Sequence, residues 1–138
     1  MANGTRKRGK RPADVGAVVE VRAEVGPQYP VLCLRHAHPR FGVEQLNDKQ
    51  RSELLLKWSK RVQHSWTELQ THGKHGLGYE MIPASMIKPQ CPHETLAQDK
   101  YLVFRHQGNL PMIGFKAGTV FHVLWIEAEY NAVYEHGK

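Results

Sequence analysis

Between Val19 and Val25 apolar and polar residues alternate strictly: Val19, Val21, Ala23 and Val25 are separated by Glu20, Arg22 and Glu24. A period of two predicts a half-buried strand there. Gly26-Pro27-Gln28-Tyr29-Pro30 breaks the pattern, and Val31-Leu32-Cys33-Leu34-Arg35 forms a second short apolar run, either the other arm of a hairpin or an adjacent strand. The period then lengthens. Asn47, with Gln50 three positions on, has the form of a capping box, and Leu54, Leu55, Trp58 and Val62 follow at helical spacing. Lys49, Arg51, Lys57, Lys60 and Arg61 occupy the other side of that helix, which is read as a solvated face able to track phosphates. Ser65-Trp66-Thr67-Glu68 repeats the box and starts a short helix that stops near Gly73. Pro83, Pro89 and Pro92 predict an irregular connection from Tyr79 to Asp99.

The C-terminal third returns to strands. Tyr101–Arg105, Met112–Lys116 and Val120–Ile126 are separated by the turns His106-Gln107-Gly108-Asn109 and Ala117-Gly118-Thr119, which predicts an antiparallel meander. The run 120–126 is apolar on both faces apart from His122, as expected of a doubly covered inner strand. Residues 132–136 are placed as a short segment pairing on one edge. The fold class that follows is α+β: a meander of about four to six strands, packed against one longer and one short helix.

Composition changes this picture in one respect. The 138 residues carry 19 basic and 13 acidic side chains, a formal charge of +6. Five of the basic ones, Arg6, Lys7, Arg8, Lys10 and Arg11, stand in the first 12 residues with no acid among them, leaving 14 against 13 elsewhere. The organisation expected is therefore a disordered basic tail over 1–13 and one nearly neutral domain over 14–138. Such a tail attracts phosphate without sequence preference. Cys33 and Cys91 have neither a metal-binding nor a secreted-framework spacing and are expected as free, buried thiols in a reducing compartment. With no secretory signal and no long apolar run, a cytoplasmic protein without membrane association is expected.

Several residues have side chains suited to chemistry. His36-Ala37-His38 puts two imidazoles on one side of a strand end, but without partners at zinc-site spacing neither this pair nor His72 and His75 advertises a metal, and no cofactor is expected. His122 reads as a general base or as a hydrogen-bonded core histidine. Arg105, Lys116, Tyr134 and His136 lie at or near the ends of the meander strands. Metal-free RNA cleavage requires a proton acceptor, a proton donor and fixed cations, roles that suit those side-chain types. Trp58, Trp66 and Trp125 sit on apolar stripes and are assigned to the core.

The order Leu102-Val103-Phe104-Arg105, Gly108-Asn109, Met112-Ile113-Gly114-Phe115, Phe121–Ile126 and Val133-Tyr134 resembles the C-terminal sheet of the RelE/ParE-like toxin superfamily. The wording Phe121–Glu127, Val133–Gly137, Trp66 and Gly76–Pro83 also resembles a group of small uncharacterised bacterial proteins. The superfamily resemblance implies a RelE-like fold and a toxin of a toxin-antitoxin system: a metal-free, ribosome-associated mRNA endonuclease neutralised by an antitoxin, or a gyrase-directed relative. It implies that Arg105 contacts phosphate and that Tyr134 is the terminal catalytic or stacking aromatic. Pro111-Met112 stands where those nucleases commonly place an arginine. That departure, with the nearly neutral body, leaves a non-catalytic protein-binding module as the alternative.

Overall fold

The computed structural model describes residues 26–74 and 76–136. The alternating run 19–25 and the basic tail, with Arg6, Lys7, Arg8, Lys10 and Arg11, lie outside the described residues. Helix α1 spans Asp48–Arg61 and α2 spans Trp66–Thr71. Each is opened by its expected box. Asn47 Oδ1 accepts from the Gln50 amide at 2.8 Å while Gln50 Oε1 accepts from the Asn47 amide at 2.9 Å. Ser65 Oγ and Glu68 Oε1 make the corresponding pair at 3.1 and 2.8 Å. Such caps satisfy amide groups that the first helical turn leaves without partners.

Among the described residues five strands form one mixed sheet: β1 (Val31–Cys33), β2 (Tyr79–Pro83), β3 (Lys100–Gln107), β4 (Leu110–Ala117) and β5 (Val120–Ile126). Their order is β1-β5-β4-β3-β2. The meander β3-β4-β5 is antiparallel as expected, turning through Gly108 and Gly118 at positive φ. The fold is thus α+β.

The short run after Pro30 is a strand: β1 lies parallel to β5, with Val31, Leu32 and Cys33 beside Val120, Phe121 and His122, while the run 19–25 expected next to it lies outside the described residues. Two expectations are corrected. First, Tyr79–Pro83 is an edge strand antiparallel to β3, where an irregular connection was expected. Pro83 ends it, and the ladder continues through the Ala84 amide, which donates to Asp99 O at 2.8 Å. Second, 132–136 forms no strand. Val133 and Tyr134 are instead buried against one sheet face, and the Lys88 amide donates to Val133 O at 2.7 Å.

Because side chains alternate across each strand, the sheet has two different faces. On one, Leu54, Trp58, Trp66 and Leu69 of the helices pack on Leu102, Phe104, Met112, Phe121 and Val123. Phe104 is the hub: fully buried, it touches the rings of Trp58, Trp66, Tyr79 and Phe121. The opposite face carries Tyr101, Val103, Ile113, Leu124 and Trp125 and, among the described residues, is covered by connections and by the segment with Val133 and Tyr134. Segment 38–41 runs beside β5, donating from His38 N to Leu124 O and accepting at Phe41 O from Ile126 N. A register shift at Ile113/Gly114 brings β4 so close to β5 that a Cβ at Gly114 would collide with the His122 carbonyl.

The apolar stripe of α1 also differs from expectation. Leu55 is 68% exposed beside the exposed Leu56. Arg61, expected among solvated cations, is fully buried and stacks over the Phe104 ring at 4.7 Å. Its Nε donates to Leu77 O at 2.8 Å and its Nη2 to Arg105 O at 2.7 Å. Burial lowers its pKa to about 10. Cys33 and Cys91 are free but half-exposed, where buried thiols were expected. Among the described residues no helix is long and apolar enough to cross a membrane.

Candidate active site

Glu127 follows β5 directly and is fully buried, a costly place for a carboxylate without partners. It has several. Oε2 accepts the amides of Val133 and Tyr134 at 2.8 and 3.2 Å, and Oε1 is 2.8 Å from His136 Nε2. One carboxylate therefore folds the segment 133–136 back onto the covered face and orients its imidazole. A ring nitrogen that donates to a carboxylate leaves Nδ1 as the basic atom. The His136 ring stacks on Tyr134 with centroids 4.4 Å apart and planes 11° from parallel.

Tyr134 and His136 form one wall of a cleft of about 270 Å³. The opposite wall is the β2 edge from Glu80 to Pro83 with Met86, and Lys74 stands at the rim. Arg105 also lines it, with its side chain 6% exposed. Its Nη2 donates to Glu80 Oε2 at 2.8 Å, and Lys74 Nζ donates to Glu80 Oε1 at 3.2 Å. Burial alone would raise the Glu80 carboxyl, but the hydrogen bonds from Arg105 and Lys74 outweigh it and hold the pKa below its ordinary value. Arg105 Nε and Nη1 and the Tyr134 hydroxyl are buried without a hydrogen bond of good geometry. Buried donors of this kind are seldom left without a partner. Burial raises the Tyr134 phenol above its usual pKa, with Glu80 and Glu127 adding to this and Arg105 opposing it, so the hydroxyl keeps its proton at neutral pH.

Of the five residues read as a site, Arg105, Tyr134 and His136 come together here. Lys116 does not: it is on the helix-covered face, with Nζ 5.3 Å from the centre of the Trp66 ring. His122 shares the cleft's face of the sheet but stacks on Phe115, away from the cleft lining. Of the basic residues of α1, Lys60 is exposed, Lys57 is half-buried and Arg61 is inside the core. His36 packs against His93 and His122, His38 accepts from the Arg40 amide, and the His72 ring packs on His64. His75 lies outside the described residues. Among the described residues no three His, Cys, Asp or Glu side chains are arranged to hold a metal ion.

The sequence reading missed Glu80, Lys74 and Glu127. The available signals were an acid closing a doubly apolar strand, and the alternation Tyr79-Glu80-Met81-Ile82. Chemically, the cleft offers an oriented imidazole, a protonated phenol and two cations sharing one carboxylate. No protein-family model, curated protein or solved structure matches the chain.

Proposed function

We propose that this cleft cleaves single-stranded RNA by metal-free acid–base chemistry, as a RelE-like toxin would. The observation that carries the reading is the Glu127–His136 pair at 2.8 Å beside a buried arginine whose Nε and Nη1 make no hydrogen bond of good geometry. His136 Nδ1 takes the proton of a 2′-hydroxyl, whose oxygen attacks phosphorus. The bond from phosphorus to the 5′-oxygen breaks, and that oxygen receives the Tyr134 proton. The products are a 2′,3′-cyclic phosphate and a 5′-hydroxyl. Arg105 and Lys74 stabilise the charge that builds on the phosphoryl oxygens, as fixed donors do at other developing anions. The resemblance of 101–136 to the toxin superfamily supports the same reading.

The test is incubation of the purified protein with end-labelled RNA in excess chelator. Cyclic-phosphate ends are expected, with His136→Gln slower by about 10²- to 10⁴-fold, the usual worth of a general base. Intact RNA with the wild type, or equal cutting by His136→Gln, sinks the proposal. A second reading, a non-catalytic module docking a protein partner such as an antitoxin, is favoured by the adjacent exposed Leu55 and Leu56 on α1. It requires uncut RNA and an association that Leu55→Glu abolishes.

A further inference from the structure

A second group of rings lies on the same sheet face as the cleft and takes no part in the proposed chemistry. Phe115 and His122 are register partners on β4 and β5, their rings stacked 5.0 Å apart and 19° from parallel. His36, just after β1, is 5.8 Å from His122 at 37°. His93, from the connection between β2 and β3, is 5.2 Å from His36 at 80°. Four rings from four segments thus make a continuous row. Three are half-exposed and His93 is exposed, although rings of this size usually serve a fold by being buried.

The charged neighbours of His36 are basic. The groups acting electrostatically on His36 are His93, Arg35 and His122, with no carboxylate among them, and Arg35 is exposed. Rings in a row beside an exposed guanidinium complement a chain of flat bases joined by phosphates. Unpaired bases offer their faces for stacking, whereas a duplex hides them. We infer that Phe115, His122, His36 and His93, with Arg35, form a stacking surface for the bases of single-stranded RNA. The inference rests on the RNA reading above and names the surface that would hold the strand outside the cleft. His122 to Glu127 is roughly 16 Å along β5 at about 3.3 Å per residue, a separation that a few nucleotides span.

Binding of a fluorescently labelled single strand, 2′-O-methylated so that it cannot be cut, tests this by anisotropy. Phe115→Leu keeps the apolar bulk and removes the ring, and His93→Ala alters an exposed residue. Thermal melts of both variants confirm folding. Each is expected to weaken binding by about tenfold, from the usual contribution of one stacked base, while leaving cleavage of a dinucleotide that reaches only the cleft unchanged. Unaltered affinity in both variants, or equal affinity of the wild type for a duplex of the same sequence, overturns the stacking surface. If the wild type still cuts RNA in that case, the cleavage reading stands. A wild type that neither binds the strand nor cuts RNA removes both.

Discussion

The two faces of the sheet are stabilised by different means. The helix-covered face is a ring cluster centred on Phe104, closed by two capped helices, and it would be recognisable in any small α+β domain. The connection-covered face relies on a buried carboxylate, a half-buried ion pair and a chain segment with no regular structure. Arginine illustrates the contrast. Arg61, on the helix side, gives Nε and Nη2 to two carbonyls and its plane to Phe104, and fixes the packing of α1 on β3. Arg105, on the other side, gives Nη2 to Glu80; like Arg61 at Nη1 it has buried nitrogens without a hydrogen bond, Nε and Nη1, but it lines a cleft. One arginine is enclosed by the core and the other lines a cleft, and it is this difference in place that separates scaffold from candidate site.

If that division is right, the largest effect should come from the scaffold. Phe104→Ala empties the hub of the ring cluster and is expected to cost about 4 kcal/mol, read by urea denaturation, with all parts of the chain unfolding together. A much smaller loss would mean that the helices are not the main stabilising layer. Next, Glu127→Ala removes the acceptor of two amides and one imidazole and should cost about 3 kcal/mol. Its signature is local: amide exchange of 133–136 should rise far more than that of β3 to β5. Uniform loosening of both regions would erase the distinction between the faces.

The smallest expected effect is one of pH. His106 lies on the helix side, its Nε2–H donating to Glu127 O at 2.7 Å. Burial lowers its pKa to about 4 against that bond, with Lys57 and Arg61 adding to the shift. The unfolded chain therefore binds this proton first as pH falls. Stability is full above about 6.5 and declines toward 4, by about 2 kcal/mol between pH 7 and 4.5. Loss of the Glu80 carboxylate, whose pKa is also depressed, adds to the decline at the acid end. His106→Gln should flatten the upper part of that profile in denaturation curves, and an unchanged slope would show that His106 does not set it.

The helix side was legible because its signals are local. Two capping boxes and an apolar spacing mark α1 and α2 within a few residues, and the Gly108 and Gly118 turns do the same for the meander. Arg61 escaped because residue type was read before position: Leu54, Trp58 and Arg61 lie at i, i+4 and i+7, on one stripe. The connection side depends on contacts between distant residues. Tyr79–Pro83 looks like a proline-rich loop until β3 is beside it. Nothing near Glu127 in sequence says that its carboxylate will hold residues 133, 134 and 136. For the same reason Arg105, Tyr134 and His136 could be named from their chemistry and place along the chain, but Lys116 and His122 could not be separated from them.

The parallel pairing of β1 with β5 bears on how the molecule is assembled. Val31 pairs with Val120, so this ladder cannot form until the last described strand has been made. Closing so long a loop is slow compared with making the β3-β4-β5 turns, and during synthesis from the N-terminus the β1–β5 ladder waits until most of the described chain is made. The Glu127 clasp on 133–136 comes later still. The cleft is thus completed after the ring cluster of the helix side, and a chain stopped before Val133 would lack the wall that carries Tyr134 and His136.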